Sequence, residues 1–318
     1  MKPLVIGLGE VLWDVLPSGP RMGGAPANFA CHARALGAEA AVISSVGRDE
    51  DGERLLELLA ELGLSTEGIS TDVERATGSV TVELGTDGQP CYTIREGVAW
   101  DHIVATEAAL AQAAAASAIC FGSLGQRSLV SQQSIRRLVE ATPASALRIF
   151  DVNLRQGFYS SEVIHDSLVM ANVLKLSDSE LPVLAELLNL QGSLREQIET
   201  LRSHYDLKLV VYTRGGNGSI LWDGVTWCEH SGLPAEVKDT VGAGDSFTAA
   251  TTMGFLLGWP LGAISENANA VAAHVCSCVG AIPPIPEALR QRFTKDAFSG
   301  KAVTEPAMRL TGLSQSRA

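Results

Sequence analysis

Short runs of apolar residues alternate along the chain with longer helical stretches. The apolar runs have the length of buried strands and read LVIGLGEV, AVISSVG, AICFGSL, LRIFDVNL, VLKLS and LKLVVYT. Stretches such as ANFACHARALG and DGERLLELLAELG lie between them and are typical of helices. Strands that alternate with helices predict βαβ units and a parallel sheet that is buried on both faces. The pattern therefore predicts a doubly wound α/β core.

Residues 78–103 interrupt this rhythm. In SVTVELGTDGQPCYTIREG, apolar and polar residues alternate around a TDG turn, which predicts an antiparallel hairpin with one exposed face. The segment VLWDVLP near the start of the chain has the same alternation. We expect these segments to form a small β-sheet lid, with strands from about 10–24 and 78–103.

Two helices are predicted after Asp245. The first ends at Gly258, just ahead of Trp259 and Pro260, and the second runs from about Leu261 to Gly280. The sequence contains neither an internal repeat nor a low-complexity linker. We expect one domain over residues 1–300 that carries the lid, followed by a tail over residues 301–318.

Composition and charge exclude several kinds of partner. The 318 residues include 24 basic and 36 acidic side chains, and the net charge of −12 opposes binding to nucleic acid or anionic lipid. The six cysteines are scattered and form no C-x-x-C pair. Glu10 and Asp14 interrupt the first apolar run, and the alanine-rich segment 108–120 is too short to span a bilayer. We expect a cytoplasmic protein without a nucleic-acid or membrane partner.

The stretch VGAGDS places three small residues directly before a predicted helix. The backbone amides of Gly242, Ala243 and Gly244 would be unpaired there and, with the helix dipole, would attract an anion such as phosphate. Asp245 would lie beside that anion as a carboxylate able to accept a proton. An anion hole with an adjacent base is what phosphoryl transfer requires. A plain helix N-cap is the alternative interpretation of the same four residues.

Other motifs for phosphate chemistry or hydrolysis do not occur. The sequence has no G-x-x-x-x-G-K-[ST], no G-x-S-x-G and no H-E-x-x-H, and its histidines are isolated. Gly7-Leu8-Gly9 lacks a third glycine and continues as an alternating strand, where a dinucleotide site requires a helix. These observations argue against a P-loop enzyme and a Rossmann oxidoreductase.

A second glycine cluster precedes the first helix, in Gly23-Gly24-Ala25-Pro26-Ala27-Asn28. Together with DTVGAGDS, it resembles the two signature regions of the PfkB-type (ribokinase-like) carbohydrate kinases, and the resemblance extends to about Ile285. It implies a three-layer α/β/α core with a small lid, and an ATP-dependent sugar kinase. Asp245 would be the general base, and Gly242, Ala243 and Gly244 would form the anion hole. Asp14, Gly24 and Asn28 match the sugar-binding positions, where a carboxylate and a carboxamide suit adjacent hydroxyls.

The resemblance also implies phosphate and nucleotide contacts. The segment Asp151-Val-Asn153-Leu-Arg155 resembles the D-x-N-x-R segment, in which the arginine fork approaches phosphate. The residues implied at the nucleotide are Lys175, Thr213, Gly215, Gly218, Gly244 and Asn269. Core packing is the alternative for Asn269, and a hairpin turn is the alternative for Gly218.

Metal sites follow from the same resemblance. Glu180 would hold Mg²⁺ through water, in a segment where Ser177 replaces the asparagine of the N-x-x-E motif. Asp239 and the Val241 carbonyl would line a monovalent-cation loop. The implied cofactors are ATP and Mg²⁺, with K⁺ as a further candidate.

The glycine cluster at residues 23–28 also bears on the substrate. Gly-Ala-Pro-Ala-Asn is similar to the fructokinase form of the motif, whereas ribokinases tend to have lysine and glycine after the glycine pair. D-fructose is therefore expected as the substrate. A 2-keto-3-deoxygluconate kinase or another ribokinase-like small-molecule kinase is the alternative. For the sugar acid, Tyr92, Arg95 and Trp100 of the lid are candidate contacts for the carboxylate. A non-catalytic sugar or nucleotide sensor is the alternative of another class.

Since a lid hairpin exposes an apolar face, we also expect a homodimer through the lid.

Overall fold

The structure is a computed structural model, which describes residues 2–84 and 90–294, with the side chains of residues 82–84 and 90–92 excepted. These residues form thirteen strands: β1 (Leu4–Leu8), β2 (Leu12–Leu16), β3 (Gly19–Gly23), β4 (Glu39–Gly47), β5 (Ile69–Asp72), β6 (Gly78–Leu84), β7 (Pro90–Ile94), β8 (Ala118–Gly122), β9 (Leu147–Asp151), β10 (Val173–Ser177), β11 (Leu209–Thr213), β12 (Ser219–Trp222) and β13 (Trp227–His230). They also form ten α-helices: α1 (Ala25–Ala35), α2 (Glu50–Glu61), α3 (Glu107–Ala115), α4 (Leu129–Glu140), α5 (Ser161–Met170), α6 (Leu181–Leu187), α7 (Leu194–His204), α8 (Ala243–Leu256), α9 (Leu261–Cys276) and α10 (Glu287–Arg290).

Nine strands form one large sheet in the order β13-β12-β11-β10-β9-β8-β1-β4-β5. The seven strands from β11 to β5 in this order run parallel to one another, while β12 and β13 are antiparallel at one edge. The predicted parallel sheet is confirmed. The short strands β5, β12 and β13 did not stand out in the sequence because each has only four residues.

Helices cover both faces of the large sheet. Val5 of β1 packs in a hydrophobic cluster with Phe29 of α1 and Phe247 of α8. The next residue, Ile6, packs in a separate cluster with Leu138 of α4. Adjacent residues of a strand point to opposite faces, so one apolar run supplies both layers of the core. The predicted three-layer α/β/α arrangement is confirmed.

A second, separate sheet has the order β3-β2-β6-β7. Its strands fall within the segments 10–24 and 78–103 from which the lid was expected, and β6 pairs antiparallel with β7 in the predicted hairpin. The TDG turn at residues 86–88 lies outside the described residues. The predicted domain limit at residue 300 and the tail 301–318 also lie outside them, so this division of the chain stays a prediction.

The two helices predicted after the glycine turn are present, with one correction. The first ends at Leu256, and Gly258 follows in the left-handed region with φ 73°, as a helix-ending glycine should. The second ends at Cys276, four residues before the expected Gly280. Its last turn stops there because the Cys276 carbonyl accepts hydrogen bonds from the amides of Lys238 and Asp239.

The carboxyl ends of the parallel strands meet at one edge of the large sheet. Glu10 follows β1, Asp151 ends β9, Ser177 ends β10 and Thr213 ends β11. In open α/β sheets ligands bind in the crevice at this edge. The fold therefore brings the predicted site residues to one side of the molecule. No helix among the described residues is long and apolar enough to cross a membrane.

Candidate active site

The glycine turn before α8 requires glycine at its first position. Gly242 caps the helix in the left-handed region with φ 79°. A Cβ at this position would clash with the carbonyl oxygen of Ala281, which packs directly against the turn. Both the φ angle and this close approach exclude other residues. Asp245 lies in the first turn of the helix, as predicted.

The three amides of the turn are not equivalent. The Ala243 amide donates a hydrogen bond of 3.3 Å to the Thr240 carbonyl. In the described part of the chain, the amides of Gly242 and Gly244 donate to no protein acceptor. These two N–H groups lie at the positive end of the helix dipole and can bind an anion. A contact from Ala243 to the anion stays a prediction, and it requires the bond to Thr240 to open.

Asp245 is held by the first helix. Asn28 of α1 donates from Nδ2 to Asp245 Oδ2 over 2.8 Å. Burial raises the pKa of Asp245, while the Asn28 hydrogen bond and the positive charges of Lys175 and Arg155 lower it. A carboxylate with a raised pKa is a stronger base than a solvated one, and it suits proton abstraction near neutral pH.

A buried lysine lies beside the glycine turn. Lys175 of β10 forms a 2.9 Å ion pair with Asp151, and its ammonium nitrogen would be 3.3 Å from a Cβ at Gly244. The second Asp151 oxygen accepts a 3.0 Å hydrogen bond from Thr248 of α8. Burial lowers the pKa of Lys175, but the carboxylates of Asp151, Glu180 and Asp245 raise it by a larger amount. The net shift of the pKa is therefore upward, and the ammonium stays charged. A permanent positive charge therefore lies next to the amides of the turn.

Glu180 is fixed at the start of α6 by both of its carboxylate oxygens. One accepts from the Leu154 amide at 3.0 Å, and the other accepts from the Ser177 amide at 2.7 Å and the Ser177 hydroxyl at 2.8 Å. Ser177 thus supplies a side-chain donor at the position where the motif usually has asparagine. The carboxylate is 8 % exposed and lies at the carboxyl ends of β9 and β10.

The side of the site toward the second sheet contains Asp14, Gly24 and Arg155. Burial raises the pKa of Asp14 to about 6, against the opposing charge of Arg155. Arg155 is exposed, and its positive charge also lowers the pKa of Asp245. Gly24 caps α1 with φ 107°, and a Cβ there would clash with the Glu10 carbonyl. Of the predicted sugar residues, Asn28 contacts Asp245 directly, and Asp14 lies within the range of the Arg155 charge.

The residues predicted for the nucleotide lie at the end of β11 and in the turn to β12. The Thr213 hydroxyl is 3.5 Å from the Leu176 carbonyl oxygen. Gly215 has φ 54° and begins a turn of 3-10 helix, and Gly218 ends it with φ 82°. A Cβ at Gly218 would clash with the His230 carbonyl, so this glycine is required by the hairpin itself. The turn needs no ligand to explain it.

Asn269 of α9 points into the protein. Its Nδ2 donates to the Ser219 hydroxyl at 2.9 Å and to the Ser265 carbonyl at 2.8 Å, and the residue is 7 % exposed. This geometry fits the core-packing alternative. A contact from Asn269 to the adenine stays a prediction.

The loop predicted to hold a monovalent cation is tied together by Asp239. Its Oδ1 accepts from the Val241 amide at 3.0 Å, and its Oδ2 accepts from the Gly280 amide at 2.9 Å. The carboxylate thus joins the segment before α8 to the segment after α9. No group of three or more histidine, cysteine, aspartate or glutamate side chains is arranged for a metal ion among the described residues. A cation at Asp239 and Val241 stays a prediction.

Comparison with known proteins decides the family. The profile described as pfkB family carbohydrate kinase matches residues 19–288, which is most of the chain. The chain belongs to this family. It is therefore an ATP-dependent carbohydrate kinase with the ribokinase-like fold, as the two glycine motifs predicted.

Relatives of this carbohydrate kinase cover most of its length. It is 30% identical to the sugar kinase PH1459 of Pyrococcus horikoshii over 79% of each chain. It is 29% identical to Probable fructokinase-4 of Arabidopsis thaliana, over 90% of this chain and 94% of the relative. The crystal structure of the uncharacterized sugar kinase PH1459 in complex with ATP has a TM-score of 0.76, with 88% of this chain and 94% of that chain covered.

Of the three lid candidates of this carbohydrate kinase, Trp100 is the one that the structure tests. The Trp100 ring is fully buried, with the Arg127 guanidinium 3.9 Å from its centre. It cannot contact a sugar in this arrangement, so the expectation for Trp100 is wrong. Arg95 is exposed at the end of β7, and the side chain of Tyr92 lies outside the described residues.

Sequence reasoning missed Glu10 as a site residue of this carbohydrate kinase. Glu10 is 2 % exposed, and burial raises its pKa to about 7 although Arg155 lowers it. It lines a small pocket with Pro26, Asp151 and Asn153, and its Oε2 has no hydrogen-bond partner among the described residues. A carboxylate two residues after an uncharged strand was a signal in the sequence, because such a position lies at the carboxyl edge of the sheet.

Proposed function

We propose that this carbohydrate kinase transfers the γ-phosphoryl group of ATP to the terminal hydroxyl of D-fructose. The observation that carries the proposal is the Asp245 carboxylate, bonded to Asn28 and lying beside the unpaired amides of Gly242 and Gly244. A base and an anion hole at one point are the parts that phosphoryl transfer to a hydroxyl requires.

Asp245 takes the proton in this reaction. The sugar oxygen forms a bond to the γ-phosphorus while the bond from that phosphorus to the β,γ-bridging oxygen breaks, so ADP leaves and the hydroxyl proton moves to Asp245. The raised pKa of this carboxyl increases its basicity. Asn28 keeps Oδ2 oriented, which leaves Oδ1 to accept the proton.

Positive groups surround the transferred phosphoryl group. The amides of Gly242 and Gly244 stabilise its equatorial oxygens, and the ammonium of Lys175 lies on the same side, next to Gly244. Arg155 is exposed, and its guanidinium would contact phosphate from the sugar side. Its planar fork suits two phosphate oxygens.

Glu180 is the candidate residue for magnesium. Its two oxygens already accept three hydrogen bonds, so the remaining lone pairs suit an Mg²⁺ bound through water. When bound with ATP, Mg²⁺ neutralises charge on the β- and γ-phosphates. A K⁺ ion at the loop of Asp239 and Val241 is a further part of the proposal. Thr213, Gly215 and Gly218 would lie along the nucleotide.

Two observations favour fructose over other sugars as the proposed substrate. The first motif has the Gly-Ala-Pro-Ala-Asn form, and a relative named as a fructokinase covers 90% of the chain. One observation favours the alternative, a sugar acid such as 2-keto-3-deoxygluconate: Arg95 and Arg155 are both exposed and could bind a carboxylate.

The test is ADP release with ATP, Mg²⁺ and K⁺ against fructose, 2-keto-3-deoxygluconate, ribose, glucose, adenosine and fructose 6-phosphate. Selective turnover of fructose supports the proposal. A preference for the sugar acid would keep the chemistry at Asp245 and replace the substrate. ATP binding without turnover of any of these six acceptors would contradict the proposal of fructose and leave two alternatives, an acceptor outside this set and a non-catalytic sensor.

Two further expectations stay predictions: the cytoplasmic location and the homodimer through the second sheet. Val15 on that sheet is 40% exposed. Light scattering at micromolar concentration separates a dimer of twice 33.5 kDa from a monomer.

A further inference from the structure

A buried histidine lies one helical turn beyond Asn28 on α1. His32 has no exposed surface, and its Nε2 is 2.9 Å from the carbonyl oxygen of Ala281. Residues four apart on a helix lie on the same face, so Asn28 and His32 face the same region of the protein. The first reaches Asp245 and the second reaches the segment behind the glycine turn.

The Ala281 carbonyl packs directly against the glycine turn at Gly242. It packs so closely on Gly242 that a Cβ there would clash with its oxygen and its carbon. The neighbouring Gly280 amide donates to Asp239, which precedes the turn. The position of this carbonyl therefore limits where the Gly242 amide can lie.

The protonation state of His32 follows from its partner. A carbonyl oxygen only accepts, so Nε2 must carry the proton that it donates. Burial lowers the pKa of His32 to about 4, so the imidazole is neutral near pH 7. Its Nδ1 has no partner within the described part of the chain. The single hydrogen bond to Ala281 is thus the polar contact that orients this ring.

We propose that His32 is a positioning residue for phosphoryl transfer, which fixes the Ala281 carbonyl and thereby the Gly242 amide of the anion hole. The proposal rests on the proposed kinase function at the same site. Loss of the His32 hydrogen bond lets the turn shift. A small displacement of a group that stabilises the transition state lowers kcat by about 10- to 100-fold, with little effect on substrate binding.

Three variants separate this role from simple packing. His32→Gln can place an N–H near the position of Nε2, whereas His32→Asn has a shorter side chain whose amide corresponds to Nδ1. We expect His32→Gln to keep kcat within about 3-fold of wild type, and His32→Asn and His32→Ala to lose about 10- to 100-fold with KM values for ATP and fructose within about 3-fold. His274→Ala is the matched control, because His274 also bonds a backbone carbonyl, that of Pro284, in the segment after α9.

Equal loss in the Gln and Asn variants, or a loss confined to KM, would overturn the proposal. A wild type without turnover of any sugar refutes the kinase proposal instead, so the two failures are distinguishable.

If the variants do not fold in thermal melting, the wild type supplies the test. Nitrogen-detected NMR of ¹⁵N-histidine protein should show His32 with a protonated Nε2, and its resonances should shift more than those of His274 on addition of fructose and a non-hydrolysable ATP analogue. Unshifted His32 resonances at saturation would overturn the proposal.

Discussion

The Asn28 Nδ2 lies 2.8 Å from Asp245 Oδ2, although the two residues are 217 positions apart in the chain. Asn28 is in the first turn and a half of α1 and Asp245 is in the first turn of α8, and each helix is capped by a glycine with positive φ, Gly24 and Gly242. Two helix N-termini therefore converge on one carboxylate. Their dipoles favour the ionised form of Asp245, against the effect of burial.

Replacing the base should abolish turnover without preventing binding. We expect Asp245→Asn to lower kcat by about 10²- to 10⁴-fold, since the amide cannot take the hydroxyl proton. ADP release measures kcat, and calorimetry measures the binding of sugar and ATP. Asp206→Asn is a control with the same chemical change in a turn with φ 51°, a conformation that asparagine tolerates. Near-normal turnover by Asp245→Asn would assign the base elsewhere.

Removing the Asn28 amide should change the pH dependence of the reaction. The Asn28 hydrogen bond lowers the pKa of Asp245, so Asn28→Ala raises that pKa further. Because Asp245 must be ionised to act, the acid limb of kcat/KM against pH should move to higher pH in the variant. Profiles recorded from pH 5 to 9 test this. An acid limb at the same pH would show that another group controls it.

How far the sequence predicts the site depends on the range of the contacts. Gly24 and Gly242 could be identified because each creates a local turn before a helix, and a turn of this kind is visible within six residues. Ser177 and Glu180 could be paired for the same reason, since they are three residues apart.

Contacts between distant segments could not be predicted from local pattern. The bond between His32 and Ala281 spans 249 positions, and a lone histidine in an apolar helix has no local signal for it. Trp100 is a candidate contact for the carboxylate of a sugar acid on its position in the predicted lid segment alone. Its burial against Arg127 depends on a partner from the segment after β8, which the alternation of the hairpin does not specify.

The ion pair of Lys175 and Asp151 should contribute to stability and to catalysis in separable ways. Lys175→Met leaves a buried carboxylate without its cation, and we expect a loss of about 3 to 5 kcal/mol in the free energy of unfolding. The double variant Lys175→Met with Asp151→Asn removes that charge and should recover much of the stability, while turnover stays low because the ammonium beside Gly244 is absent. Denaturant unfolding and ADP release measure the two effects. Recovery of turnover in the double variant would show that Lys175 acts only through Asp151.

Glu10 should make the protein less stable as the pH rises. Its pKa is raised to about 7 from an ordinary value of 4.5, so the folded state binds more protons than the unfolded state between these two values. Stability from this group is complete below about pH 4.5 and is lost as the pH rises through about 7, by an amount on the order of 3 kcal/mol. Glu10→Gln cannot ionise, so its free energy of unfolding should increase relative to wild type from pH 5 to pH 8. Denaturant unfolding of both proteins at each pH measures the difference between their free energies of unfolding. Other titrating groups such as Asp14 contribute equally to both proteins, so their contribution cancels in this difference. A constant difference over this range would mean that Glu10 is ionised in the folded protein, with a cation or an ordered donor at its Oε2.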